Sequence, residues 1–376
     1  MATIMPIDKL ISKLREDKIP FSNKFLHHFS DLDSPSLNKL REVWFSFPVE
    51  RRRALIIGMA ELAEDDPLQL FESAGKLGLD DTDDDVVVAA IDLLFEADDK
   101  RLIKRYLTFL RDNSRKENLR AAAANALVPY FYKCALNELD ATIQAEIENA
   151  LIFAYEHDRS DLVRRRVLET LGYSEKPVLK EMILRALAME QVYWTESALL
   201  AIGRTMNHEW DSTVLEYFSD ENPIILAQAV HAAGLLGIYS ARRPLFRMLN
   251  LDTDYDVRQE VIWALSQIGG DEVIERLEHF ANITDDEDEI ELIEDSIEYL
   301  ELFGTDDPEL AALLNESHFG SDDDDNDFDS DDDDDFFKIP MDMEEWERYV
   351  NDDDFDDEED EFSAEFDDDE DDEDIY

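Results

Sequence analysis

A helical segment recurs along this chain at a nearly constant spacing, and this repeat limits the possible folds more than any other feature. In one copy, DYDVRQEVIWALSQIGG (254–270), an acidic turn precedes apolar residues at helical spacing, and a Gly pair follows. The apolar face consists of Val257, Val261, Ala264, Leu265 and Ile268. The equivalent of Val257 recurs near positions 51, 86, 119, 163, 191, 225, 257 and 289, a step of about 34 residues.

Shorter apolar segments between the copies predict a second helix in each unit. Examples are residues 99–112, 176–187 and 242–252. A helical hairpin cannot bury its apolar face alone, but stacked hairpins share one continuous core. The step from 119 to 163 is longer than the others and leaves room for an insertion around 133–148. The pattern therefore predicts an all-α solenoid of about eight helical hairpins.

Composition agrees with this architecture. Hydrophobic residues make up 44% of the chain, and Gly and Pro number only 11 each, which favours helices joined by short turns. Cys134 is the single cysteine, so an internal disulfide and the usual Cys-based zinc sites are excluded. Its aromatic surroundings predict a buried, unreactive thiol.

The repeats resemble a known family. DYDVRQEVIWALSQIGGDEVIERL resembles a HEAT repeat, of the subtype also found in phycobilisome lyases, and SDLVRRRVLETLGYSEKPVL is similar. The matching positions are Asp256, Val257, Arg258, Ala264, Leu265 and Gly269 in the first, and Asp161, Val163, Arg164, Leu171 and Gly172 in the second. The segment LREVWFSFPVERRRALIIGMAELAEDD also resembles the start of uncharacterised bacterial HEAT-repeat proteins. The resemblance implies a right-handed α-solenoid over residues 41–304, preceded by a helical cap at 1–40.

The same resemblance implies a binding face. In HEAT proteins the helix with the Val-Arg pattern lines the concave side, so its face opposite Val257 would meet a partner. At 100° per residue that face also includes Ile262 and Ser266. The predicted partner-binding row is Arg165, Tyr193, His231, Gln259 and Trp263. Tyr, Trp and Arg are enriched at interface hot spots. The alternative is that these side chains pack on neighbouring turns or lie on the surface without a role.

Two arginine runs could add a basic docking patch. They are the RRR segments at 51–53 and 164–166. The simpler interpretation is that one Arg of each run bonds within the repeat ladder while the others are solvated.

The last 72 residues differ from the rest of the chain. Residues 305–376 contain 37 acidic residues and two basic ones, within a total formal charge of −60. Such a segment cannot bury enough apolar surface to offset the entropy of ordering, so we predict a disordered acidic tail. Negative charge of this density repels nucleic acid and favours a basic protein partner.

One segment of the tail carries an apolar face. In FFKIPMDMEEWERYV (336–350), a short helix is predicted over 340–350. Its apolar side is Ile339, Met343, Trp346 and Val350. This helix could recruit another protein or dock intramolecularly on the solenoid. The alternative is a spacer that keeps the chain in solution.

Catalytic chemistry is not indicated. Asp252, Asp254 and Asp256 begin like a calcium loop, but the required Gly and Glu are replaced by Val257 and Trp263. Deoxyhypusine hydroxylase, a HEAT-like enzyme, builds a di-iron site from repeated His-Glu pairs, whereas this chain has only the pair at 208–209. We therefore expect no catalytic residues, no metal and no cofactor.

The sequence favours a cytoplasmic, non-catalytic protein-binding scaffold. No basic segment leads into an apolar run near the N-terminus, and no stretch approaches the length that a membrane helix needs. The acidic tail would recruit a basic partner or gate the groove. The alternative, implied by the repeat subtype, is a bilin lyase-like enzyme or chromophore chaperone. A bilin added to such a protein would change its visible absorption, and a scaffold would leave it unchanged.

Overall fold

The computed structural model describes residues 5–15, 23–66, 68–136, 138–250 and 253–303. Within these ranges the ordered elements are helical. The α-helices are α1 (Ile7–Leu14), α2 (Ser34–Val43), α3 (Val49–Asp65), α4 (Glu72–Gly78), α5 (Asp84–Asp92), α6 (Arg101–Arg111), α7 (Glu117–Asn125), α8 (Val128–Ala135), α9 (Ala141–His157), α10 (Asp161–Thr170), α11 (Pro177–Leu187), α12 (Val192–Arg204), α13 (Asp211–Glu216), α14 (Pro223–Leu235), α15 (Arg242–Met248), α16 (Tyr255–Ile268), α17 (Asp271–Ala281) and α18 (Glu287–Phe303). Short 3-10 helices lie at Asn23–Phe29, Trp44–Ser46, Leu171–Tyr173, His208–Trp210, Tyr217–Ser219 and Tyr239–Ala241.

Eight of these helices form one continuous row, the first-helix row. It consists of α3, α5, α7, α10, α12, α14, α16 and α18, and each packs on the next. Every member contains or adjoins one of the eight repeat positions read from the sequence. The remaining helices of residues 66–281 join these members and form the second side of the hairpins. The predicted right-handed α-solenoid of about eight hairpins is therefore confirmed.

The repeat at 254–270 shows how the sequence determines one unit. Asp254 caps α16 by accepting a hydrogen bond of 3.1 Å from the amide of Asp256. Four of the five predicted core residues, from Val257 to Leu265, are fully buried, and Ile268 is half-buried. Gly269 then ends the helix with a φ of 70°, a conformation that favours glycine.

The insertion predicted near 133–148 is also present. It contains α8 and the 17-residue helix α9, which packs against α6 and α10. Tyr155 of α9 meets the ring of Trp194 edge-on at 6.2 Å. Its hydroxyl donates to the carbonyl of Met182 at 3.3 Å. The extra helix therefore joins the stack without interrupting the first-helix row.

Three glycines let consecutive members of the first-helix row approach closely. A Cβ on Gly172 would lie 2.6 Å from the Cβ of Arg204, and one on Gly234 would lie 3.0 Å from the Cα of Ala264. A Cβ on Gly203 would lie 2.7 Å from Leu235 and 3.1 Å from the Cα of Ala232. Because backbone atoms are among these neighbours, the helices themselves would have to separate to admit a side chain.

Gly203→Ala is expected to lower the free energy of unfolding by about 1–3 kcal/mol, the usual range for overpacking. The loss should appear although Ala is favoured over Gly in helices by roughly 1 kcal/mol. Gly58→Ala in α3 is the matched control, because a Cβ there meets only the flexible end of Leu26 at 3.0 Å. Chemical denaturation of both variants checks this. Equal stability of the two variants would contradict the close approach.

The final helix of the row presents an acidic outer face. Its residues Glu291, Glu294, Asp295 and Glu298 are all exposed. Terminal repeats need a polar outer face because no further unit covers them. The disordered tail predicted at 305–376, with its helix at 340–350, lies outside the described residues.

Candidate partner-binding surface

A repeated arginine–carboxylate contact sets the orientation of the first-helix row. Arg52 of α3 donates from Nη1 to the carbonyl of Phe47 at 2.7 Å. Its Nε and Nη2 donate to the two carboxylate oxygens of Asp81 at 2.7 and 3.0 Å. Asp81 precedes α5 and also accepts from Trp44 Nε1 at 2.7 Å and from the Asp83 amide at 2.9 Å. One carboxylate therefore joins two successive repeats.

The same arrangement recurs twice along the row. Arg120 of α7 donates to the carbonyl five residues earlier and to both oxygens of Asp158, each at 2.9 Å. Arg258 of α16 donates to the carbonyl of Thr253 and, at 2.7 Å, to the buried carboxylate of Glu289. Bidentate or repeated contacts of this kind restrict orientation as well as distance.

The interpretation that the other arginines of the RRR runs are solvated is wrong for most of them. Arg53 pairs with Asp83 at 2.9 Å and with Asp85 at 2.6 Å. Arg164 lies over the ring of Trp194, and Arg166 pairs with Glu169 at 2.9 Å. These arginines are thus used in contacts within the stack, which the linear pattern does not reveal.

Two of these carboxylates, Asp81 and Asp158, have lowered pKa values. Burial of Asp81 opposes its ionisation, but hydrogen bonds from Arg52, the Asp83 amide and Trp44 outweigh burial and hold its pKa below the ordinary value. The pKa of Asp158 is lowered in the same way, with Arg120 opposing the effect of burial. The ionised form is therefore the one that the folded chain stabilises.

Arg52→Gln is expected to make stability less dependent on acid pH. A lowered pKa stabilises the folded wild type fully above the unfolded value of about 3.9, and this contribution disappears as pH falls through the lowered pKa. The difference in unfolding free energy between wild type and variant should therefore be largest above pH ~5 and shrink toward pH ~2. Denaturation curves across this range measure it. A difference that stays constant with pH would contradict the role of Asp81.

The first two residues of the predicted binding row contact each other. Arg165 of α10 lies with its guanidinium carbon 5.0 Å from the ring centre of Tyr193 on α12. Arg165 is 9% exposed, whereas Tyr193 is 39% exposed. The buried Arg165 guanidinium therefore packs against the Tyr193 ring. The exposed part of that ring is what a partner can contact.

A buried carboxylate lies one turn further along the same two helices. Glu169 of α10 pairs with Arg166, and Ser197 of α12 donates to it at 2.5 Å. Arg204 donates to the carbonyl of Glu169 at 3.0 Å. Burial opposes ionisation of Glu169, but Arg166, Ser197 and Arg204 outweigh it and lower the pKa. Tyr193 therefore projects from a rigid, polar junction between helices.

The next pair of helices repeats this design with different side chains. His231 of α14 stacks on Trp263 of α16 with ring centres 4.3 Å apart and planes 12° from parallel. His231 Nδ1 lies 2.9 Å from a carboxylate oxygen of Glu260. Gln259 donates from Nε2 to the hydroxyl of Tyr255 at 2.9 Å. The rings of His231 and Trp263 are both half-buried and held in place.

Fewer residues are exposed on the predicted binding face than the helical phase implies. Ile262 and Ser266, expected on it, are buried, and so is Arg165. Helices α10 and α16 each lie between two other first helices, so side chains on both of their flanks are covered by neighbours. The structure brings the row together as two pairs, Arg165 with Tyr193 and His231 with Trp263, and Gln259 bonds instead within α16. The packing interpretation therefore describes Arg165 and Gln259, and partner binding by Tyr193, His231 and Trp263 stays a prediction.

The described residues contain no group of three His, Cys, Asp or Glu side chains arranged to hold a metal ion. The two members of the His-Glu pair bond to other residues. His208 Nδ1 lies 3.2 Å from Asp211, and Glu209 pairs with Lys180 at 2.5 Å. Burial raises the pKa of the Cys134 thiol to about 11, with a further contribution from Glu148. Over the same described ranges, no helix combines the length and the apolar character needed to cross a membrane.

Comparison with known proteins supports the repeat assignment. Residues 212–298 match the family model of HEAT repeats. This match includes α14, α15 and α16, and so confirms the resemblance seen in the repeat at 254–270. None of the curated proteins matches the chain. The phycobilisome-lyase subtype and the bacterial resemblance remain predictions.

Several solved structures are similar at low identity. Human deoxyhypusine hydroxylase in complex with glycerol is 15% identical, covering 78% of this chain and 96% of that one, with a TM-score of 0.32. Kap121p is 13% identical over 78% of this chain, with a TM-score of 0.36, and a Kap121p mutant is 12% identical over 80%, with a TM-score of 0.38. This chain spans only 37–38% of those two chains. Likenesses this weak carry no argument about activity.

Proposed function

We propose that this chain is a non-catalytic, cytoplasmic protein-binding scaffold that contacts its partner through the first-helix row. The observation that carries the proposal is the pair of supported aromatic rings at Tyr193 and Trp263. Each is partly open to solvent and rests on a residue of the preceding first helix, Arg165 or His231. Because these contacts fix the rings before binding, the rings lose little side-chain entropy when a partner binds.

Close helix packing supports this side as the concave one. In a curved stack, the row whose helices approach most closely lies on the inner side. Gly172, Gly203 and Gly234 bring members of the first-helix row together. The second helices α11, α13, α15 and α17 do not pack on one another to a comparable extent within the described hairpins. A concave surface surrounds a partner and excludes water from the rings at its centre.

The charge of the chain points to a basic partner. The formal charge is −60, so long-range electrostatics attract a basic protein and repel nucleic acid. We propose two roles for the tail segment 336–350, which lies outside the described residues. Its face of Ile339, Met343, Trp346 and Val350 recruits the partner, or it occupies the first-helix row and gates access.

Quantitative affinity capture from cytoplasmic extract tests the proposal. The full chain and a chain ending at residue 304 are compared at low and moderate salt. A basic protein held by the full chain alone, and lost with salt, makes the tail the recruiting element. Stronger capture by the shorter chain makes the tail a gate. If neither chain enriches any protein over an unrelated acidic control, the scaffold proposal fails.

A further inference from the structure

Helices α12 and α14 present exposed apolar side chains at equivalent positions. Tyr193 and Ile224 each follow the N-cap of their helix by two residues. They are 39% and 41% exposed, although both are large and apolar. The two helices pack on each other. The two side chains therefore lie at the same end of the first-helix row.

Helix α14 carries a small residue between two larger ones on the same face. Ile224, Ala227 and His231 are spaced three and four residues apart, so they share one side of the helix. Ala227 is half-buried, and the ring of Trp263 stacks on His231. The helix rises about 10 Å from Ile224 to His231. Ala227 therefore lies at the bottom of a shallow depression between these two side chains, which we call the Ala227 depression.

Acidic residues lie around this depression. Glu196 of α12 is half-buried and holds the position equivalent to Ala227, five residues after the N-cap. At the far end, a carboxylate oxygen of Glu260 lies 2.9 Å from Nδ1 of His231, and its side chain is 30% exposed. Glu221, just before α14, is exposed. Carboxylates are therefore present beside the depression and near both of its ends.

The helices that form this face carry almost no positive charge. Between Arg185 and Arg242 the sequence contains a single Lys or Arg, Arg204, and that residue is 4% exposed. On α16 the single such residue is Arg258, which is 9% exposed and donates to Glu289. Helices α12, α14 and α16 therefore expose carboxylates on this face without an exposed Lys or Arg of their own.

We propose that the Ala227 depression binds a cationic peptide segment of the partner. One large apolar side chain of this segment would lie over Ala227, between Ile224 and His231. Lys or Arg residues on both sides of it would pair with Glu221 and Glu260. Burial of the apolar side chain supplies affinity, and the complementary charges select the partner. The inference rests on the proposed function and adds the chemistry of the segment that binds.

Fluorescence anisotropy with the full chain and a labelled synthetic peptide tests this inference. The probe has one Leu between two pairs of Lys, and a companion peptide replaces the Leu by Ser. Ala227→Leu fills the depression with a residue that also favours helix. Ala145→Leu is the matched control, because Ala145 is exposed on α9, away from this face.

A second pair of variants tests the role of local charge. Glu221→Gln with Glu260→Gln removes two carboxylates near the ends of the depression. Glu275→Gln with Glu278→Gln is the matched control, because both residues are exposed on α17 and the net charge changes equally. The control therefore separates charge at the depression from the charge of the whole chain.

We expect Ala227→Leu, and the Ser peptide on the wild type, each to weaken binding at least about 10-fold. Glu221→Gln with Glu260→Gln should weaken it about threefold or more at low salt and less at higher salt. Both controls should bind the Leu peptide like the wild type.

The inference is overturned if the peptide does not bind, if Ala227→Leu leaves its affinity unchanged, or if both glutamine pairs weaken it equally. In the last two cases the peptide is held by the charge of the chain as a whole. A purified partner that requires Tyr193 and Trp263 but binds Ala227→Leu normally would overturn this inference and leave the proposed function standing.

Discussion

Asp81→Ala is expected to lower the free energy of unfolding by about 3–5 kcal/mol, as when one partner of a buried ion pair is removed. Asp81 accepts hydrogen bonds from Arg52, from the indole of Trp44 and from the amide of Asp83. Without it, the buried guanidinium keeps only the carbonyl of Phe47, and the indole N–H has no acceptor. Urea denaturation followed by far-UV circular dichroism measures the change.

Asp161→Ala is the matched control for this substitution. Asp161 pairs with Arg164 on the surface, where such a pair contributes at most about 1 kcal/mol. Asp81→Asn serves as a second variant, because it keeps the volume of the side chain while removing the charge. A loss in Asp81→Ala no larger than that in Asp161→Ala would show that the carboxylate does not join the two repeats.

Replacing Tyr193 or Trp263 by Ala is expected to weaken binding of the captured partner at least 30-fold, or about 2 kcal/mol or more. Both rings are partly exposed and pack against a neighbouring side chain, Arg165 or His231. This is typical of residues that contribute most to an interface. The dissociation constant of the purified complex, measured by titration calorimetry, checks this prediction.

Two further variants separate binding from folding. Trp263→Phe keeps an aromatic ring beside His231 and Gly234, so it should retain the fold and lose only part of the affinity. Tyr239→Ala removes an exposed ring from the 3-10 helix that precedes α15 and should leave affinity unchanged. Normal binding by Tyr193→Ala and Trp263→Ala, or loss of binding in Tyr239→Ala, would place the interface elsewhere.

The repeat pattern was sufficient to predict the architecture because helix position depends on local periodicity. All eight first helices occur at the predicted positions, and the insertion before α10 contains the expected extra helix. The burial of Val257 and Leu265 follows from their spacing alone. These features require no knowledge of which helices become neighbours.

The extent of the open face could not be predicted in this way. Ile262 and Ser266 have the phase of an exposed strip, but the neighbouring first helices cover them. The number of exposed residues on a first helix depends on how closely the neighbouring first helices pack. This spacing depends on contacts such as Gly234 against Ala264. Helical phase alone therefore assigns too many residues to the surface.

Partners that are distant in sequence were also missed. Arg52 and Asp81 are separated by 29 residues, and Arg120 and Asp158 by 38. A usable signal was present, since each acidic residue lies two residues before the N-cap of the next first helix.

Oxidative footprinting of the partner complex tests the central proposal most directly. Hydroxyl radicals label exposed Tyr, Trp and Met side chains, and mass spectrometry compares the free chain with the complex. We expect labelling of Tyr193 and Trp263 to fall when the partner binds. Labelling of the exposed Tyr239 should stay unchanged. If Tyr239 is protected while Tyr193 and Trp263 are labelled as in the free chain, the first-helix row is not the binding surface.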